Sequence, residues 1–182
     1  MHRSVPSPQR GVSLVELVTA LTVVAIALSA SLPLFTDLRA GIQLRANLNH
    51  WMSALAQARV SAVERGRPVV ACPASGERCE TTLFWHNGWI LFEDTDQNGQ
   101  HSSDEPLLLS TPPSTDVRIG SSSGRQRIRY RPDGSSEGSN VTVTFCDRRG
   151  ADKARTIVLS NAGRARSGGA TPEQAALVCG SG

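Results

Sequence analysis

Apolar and polar positions divide the chain into three regimes. From Val12 to Phe35 the residues are almost all apolar or small, and Glu16 carries the only charge. An α-helix needs about 20 apolar residues to cross hydrocarbon, so this stretch predicts a membrane-spanning helix. Beyond Pro33, apolar residues recur at three- and four-residue steps: Leu38, Ile42, Leu44, Leu48, Trp51, Leu55, Ala58 and Ala62. Arg39, Arg45, Gln57 and Arg59 fall largely between them. The pattern predicts an amphipathic continuation to about Glu64, with Pro33 kinking the rod rather than ending it. Downstream the pattern changes to short apolar runs broken by turn residues. "PVVACP", "DVRIG", "RQRIRYR", "NVTVTFCD" and "RTIVLSN" read as strands. "TTLFWHNGWILFED" reads as a hairpin turning at Asn87-Gly88, and "RPDGSSEG" as a turn. The predicted fold is α+β: one long N-terminal helix, membrane-embedded in its first half and amphipathic in its second, packed on antiparallel sheet.

The segment before the span is short and basic, with Arg3 and Arg10, which holds that end in the cytoplasm. A cleaved secretory signal is the rival reading, since "AIA" and "SAS" offer small-residue cleavage sites. Glu16 sits badly in the apolar core of such a signal, and the apolar pattern continues past the cut. A retained anchor therefore fits better, with residues 36–182 forming one exported domain of ordinary size. The four cysteines, Cys72, Cys79, Cys146 and Cys179, have no metal-ligand spacing. An even count in an oxidising compartment reads as two disulfides, with three connectivities open. Cys72–Cys79, closing a small loop, and Cys146–Cys179, tying back the tail, form the favoured set.

Net charge is only +3, but its distribution is uneven. Between Glu77 and Glu105 seven carboxylates face Arg78 alone, whereas between Val117 and Arg166 eleven bases face four acids. Such asymmetry points to a polyanionic partner or a self-complementary assembly. Alternation in "RQRIRYR" puts Arg125, Arg127, Arg129 and Arg131 on one strand face. Their counter-charge is DNA phosphate or the Glu93–Glu105 stretch; a charged edge strand that blocks aggregation accounts for them as well. "GRARSGG" reads as a mobile, glycine-flanked loop whose Arg164 and Arg166 can follow a phosphate backbone, extended by Arg148 and Arg149. Asp94, Asp96, Asn98, Gly99 and Glu105 match the twelve-residue calcium-loop spacing, although the flanking segments are not helices. A polar connecting loop is the simpler reading, and neither metal nor cofactor is assigned. The histidines form no set with a nucleophile and an acid, so no enzymatic activity is expected.

Gly11 followed by "VSLVELVTALTVVAIALSASLPLF" resembles the leader and N-terminal helix of type IV pilins and pseudopilins. "ACPASGERC", "GWILFED", "FCDRRG" and "IVLSNAGRAR", in that order, resemble minor pilins and pseudopilins of the GspH/FimT family. The resemblance implies a leader of residues 1–11, cut between Gly11 and Val12 by prepilin peptidase, and N-methylation of Val12. A phenylalanine or methionine is more usual at that position. It implies an assembly helix of residues 12–35 carrying Glu16 and the helix-bending Pro33, and a periplasmic domain of residues 36–182. The implied partners are the inner membrane and other pilin or pseudopilin subunits, in a type IV pilus or a type II secretion pseudopilus. Family members with a Gly-Arg-x-Arg motif are linked to DNA uptake, which implies double-stranded DNA as a partner of Arg164 and Arg166. Cleavage would also give Glu16 a cationic partner. The amine of Val12 lies four residues away, about 6 Å up a helix, or is supplied by the next subunit.

Overall fold

The computed structural model describes residues 11, 13–136, 138 and 140–180, without the side chains of residues 29–34. The first element is helix α1 (Leu14–Arg65), which runs on through Pro33. Contacts divide the chain into two units, one up to Leu38 and one from Arg39 onward. Within the second unit, Ala40, Leu44, Trp51, Ala54, Leu55, Ala58 and Ala62 of α1 are buried. Leu38 and Ile42, expected on that stripe, are exposed. The geometry explains the difference: at 3.6 residues per turn, Ile42 and Leu44 point to nearly opposite sides, so one stripe cannot hold both.

Two antiparallel sheets complete the second unit. The first contains β1 (Val69–Ser75), β2 (Arg78–Cys79), β3 (Trp89–Glu93) and β4 (Leu107–Thr111), in the order β2-β1-β3-β4. The second begins with β5 (Val117–Ser121); next in the chain, β6 (Ile128–Tyr130) returns to the first sheet and pairs with β1. The second sheet is completed by β7 (Val141–Asp147), β8 (Arg155–Leu159) and β9 (Ala165–Gly169), in the order β5-β7-β8-β9. Strand β1 is buried on both faces because its side chains alternate between two cores. Val69 and Ala71 join α1, Trp85 and the second sheet, while Val70, Cys72 and Ala74 pack with Ile90 and Phe92.

The expected hairpin at Asn87-Gly88 is not formed. A turn is present, with Gly88 N–H donating to the Trp85 carbonyl at 3.2 Å, but its two arms belong to different sheets. Phe84 bridges to Gly120 beside β5, whereas Trp89 opens β3 between β1 and β4. The pull comes from Trp85: it is buried, and its Nε1 donates to Ser121 Oγ at 3.0 Å.

Both disulfides of the favoured set are present, Cys72–Cys79 between β1 and β2 and Cys146–Cys179 between β7 and the C-terminal helix α2 (Pro172–Cys179). Helix α2 carries a legible signal in "TPEQ": the Thr171 hydroxyl accepts from Gln174 N–H, the Gln174 side chain accepts from Thr171 N–H, and Pro172 opens the first turn.

Candidate functional site

Three charged regions contain the residues singled out from sequence, Arg148, Arg149 and the cysteines apart. At the N-terminal end, Gly11 is exposed and Glu16 lies exposed in the first turn of α1. Val12 and the side chain of Pro33 lie outside the described residues. The large apolar side chains from Leu14 to Leu28 are 51–78% exposed. Among the described residues no helix is long and apolar enough to cross a membrane; the expected span of residues 12–35 includes positions outside them.

The acidic loop after β3 is closed by the chain itself. Asp94 is fully buried, its Oδ1 accepting from Gly99 N–H at 3.0 Å. Glu105 accepts from Thr95 N–H and Ser102 N–H at 2.7 and 3.1 Å. Oxygens of Asp94, Asp96 and Glu105 come within 4.8 Å of one another. The counter-charge arrives from β6. Arg129 Nη2 stands 2.7 Å from Asp94 Oδ2, and Arg127 Nε donates to the Gly99 carbonyl. Of the two anionic partners considered for the arginine row, Arg127 and Arg129 thus meet the acidic loop, while Ile128 and Tyr130 turn into the core. Burial pushes the Asp94 carboxyl above its ordinary value of 3.8, with Gly99 and Arg129 pulling the other way. Arg129→Gln should therefore cost about 2 kcal/mol at neutral pH, a value discounted because Arg129 is partly exposed. A raised folded-state pKa means the native state holds its proton more tightly than the unfolded chain. The loss should accordingly shrink on acidification toward pH 4, as urea unfolding at the two pH values would show.

A third region is lined by Tyr130, the neighbour of Arg129 on β6. A cleft of about 560 Å³ runs between α1 and the start of β9. Met52, Leu55, Ala56 and Arg59 form the helix wall, and Gly163, Arg164, Ala165 and Arg166 form the other, with Tyr130 and Ser160 between. "GRARSGG" is thus an edge strand and not a mobile loop: Arg166 pairs with Val158 in β8. Arg164 and Arg166 are exposed, Arg59 is half-buried, and among the described residues none of the three has an ion pair. The Tyr130 phenol adds no negative charge, because burial pushes its pKa up, against the pull of Arg59.

A profile described as type II transport protein GspH matches residues 47–163, and the prokaryotic N-terminal methylation motif matches residues 6–32. The chain belongs to the GspH family. The solved structures it resembles include the type IV minor pilin FimU of Pseudomonas aeruginosa in two crystal forms. One has TM-score 0.54 at 17% identity, covering 75% of this chain and 95% of that one. The other has TM-score 0.50 at 18% identity, covering 77% and 97%. The minor pseudopilin EpsH of the Vibrio cholerae type 2 secretion system has TM-score 0.50 at 10% identity, covering 69% and 95%. No curated protein sequence matches the chain. At these identities the likeness establishes a pilin-like fold.

Within this GspH-family fold, Arg148 and Arg149 do not extend the Arg164–Arg166 patch. Arg166 stands opposite Val158, which pairs with Thr142, and Asp147 lies five residues further along β7, about 17 Å away. There Arg149 binds the Asp147 carboxylate, Nη2 to Oδ2 at 2.6 Å, and packs at Gly41 of α1. The residue that sequence reading passed over is Arg59. It looked like an ordinary polar position between helix core residues, and only the pairing of β8 with β9 brings it opposite the two arginines.

Proposed function

We propose that this chain is a minor pilin: cleaved by prepilin peptidase between Gly11 and Val12, methylated at Val12, and held in the inner membrane by residues 12–35 with residues 36–182 in the periplasm. From there it is drawn into a type IV pilus beside other pilin subunits. The observation that carries this reading is the N-terminal methylation motif, residues 6–32, leading into a helix whose apolar side chains from Leu14 to Leu28 are left exposed. Such a surface calls for lipid or neighbouring helices. Glu16, costly in hydrocarbon, is assigned the assembly contact with a Val12 amine. Mass spectrometry of the mature chain should find a methylated N-terminus at Val12. Glu16→Ala should leave cleavage intact and lower incorporation into pili; a start near Ala30 or Ser31, or normal incorporation of the variant, would overturn the reading.

The domain is also assigned non-specific binding of double-stranded DNA through Arg164 and Arg166, supported by their exposure and lack of ion pairs among the described residues. Arg164→Gln with Arg166→Gln should lower affinity in a gel shift and flatten its salt dependence by about two phosphate contacts. An unchanged salt slope would remove DNA from the proposal. The second reading is a pseudopilin of a type II secretion system, favoured by the family's own description and by the EpsH-like fold. There the same arginines would meet neighbouring subunits, and deleting the chain would impair secretion but not pili.

A further inference from the structure

The cleft beside β9 contains more cationic chemistry than the Gly-Arg-x-Arg stretch alone. Arg59 reaches it from α1, spaced three or four residues from Leu55 and Ala56 on the same wall. Its guanidinium lies close against a glycine turn: a Cβ added to Gly134 would stand 3.1 Å from Arg59 Nε. Gly163 leans on the same turn from the other side, where an added Cβ would stand 2.1 Å from the Gly134 carbonyl oxygen. Both Arg59 and the start of the arginine-bearing strand thus pack against one glycine turn that leaves no room for a side chain. Among the described residues no acidic one lines the cleft. Three guanidiniums without ion pairs among the described residues, on two facing walls, repel one another until an anion enters between them.

We infer that the cleft is the binding seat of a phosphodiester chain, gripped from both sides, with Arg59 of α1 as the third phosphate contact opposite Arg164 and Arg166. This rests on the DNA reading above and extends it from an exposed strand to a two-walled site that includes the helix. Arg59, Arg164 and Arg166 present only charge and hydrogen-bond donors, so the site holds the backbone without reading sequence.

The test uses the full chain in detergent and fluorescence anisotropy with two duplex DNAs of unrelated sequence, over a series of salt concentrations. Arg59→Gln should lower affinity roughly three- to tenfold at physiological salt and reduce the log–log salt slope by about 0.9, equally for both duplexes. Ala56→Glu, at an exposed helix position that cannot disturb the core, should weaken binding at least as much. Arg45→Gln, exposed on the same helix but outside the cleft, should leave binding unchanged. If Arg164→Gln with Arg166→Gln abolishes binding while Arg59→Gln and Ala56→Glu leave affinity and slope untouched, the two-walled site is wrong and the DNA reading stands. If the unaltered chain does not bind duplex DNA, both fall together.

Discussion

Trp51→Ala lowers the stability of the folded domain by roughly 3–5 kcal/mol, the range for removing a large buried aromatic. Trp51 is 1% exposed and meets three other aromatic rings. Its centroid lies 4.6 Å from Trp89 of β3, 5.1 Å from Trp85 in the crossing between sheets, and 5.8 Å from Phe145 of β7. One side chain of α1 therefore contacts both sheets and the link between them. Trimming it to a methyl leaves a cavity bounded by elements that hold one another apart, so the site cannot collapse to refill it. Trp51→Phe should cost far less than alanine. It retains most of the ring volume and removes Nε1, which is buried without a hydrogen-bond partner. Urea unfolding followed by circular dichroism would measure both. A loss below about 1 kcal/mol for Trp51→Ala would show that the helix is held mainly by its smaller contacts.

Gly163→Ala should cost roughly 2–5 kcal/mol, because two independent effects add. Gly163 has φ 73°, in the left-handed region that disfavours a Cβ. The Cβ would also fall 2.1 Å from the Gly134 carbonyl oxygen, a backbone atom that has no rotamer by which to escape. Relief requires the β8–β9 turn to lift away from the turn at Gly134, and Arg164 and Arg166 move with it. DNA affinity should fall even though no cation has been removed, and the salt slope should fall with it as contacts are lost. Gly168→Ala offers a control on the same strand. Its Cβ meets only Thr156 Oγ1 at 3.7 Å, an ordinary contact, so both stability and binding should be nearly unaltered.

Periodicity made much of this fold legible. The helix, five of its six buried positions from Leu44 to Ala62, and the strand cores all follow from residue spacing. Apolar runs also located β1, β5, β7 and β8. The failures share a cause: each depended on a partner distant in the chain. Asn87-Gly88 has the local chemistry of a hairpin, but Trp85 is drawn to Ser121 and separates its arms. "GRARSGG" has the composition of a loop, but ladder bonding to β8 makes it a strand. The calcium-type spacing was legible, and so was the acidic stretch as one of two counter-charges for the arginine row; that Arg127 and Arg129 meet it follows only from the path of β6. At the candidate site, Arg164 and Arg166 were legible as residues and Arg59 was not, because nothing in its own neighbourhood distinguishes it from Arg39 or Arg45.

The Cys146–Cys179 bridge also bears on how the domain responds to force. Strands β8 and β9, and with them Arg164 and Arg166, lie wholly inside the covalent ring it closes, whose ends are 33 residues apart in sequence. A polymer that tugs on those two arginines pulls against a closed loop rather than a free tail. Even if both strands peeled away, the ring could pay out only a bounded length of chain, under about 120 Å even if all of it were drawn straight. The rest of the domain would feel the load through β7 at one end and α2 at the other. The tail disulfide thereby acts as a mechanical stop, which reduction would release.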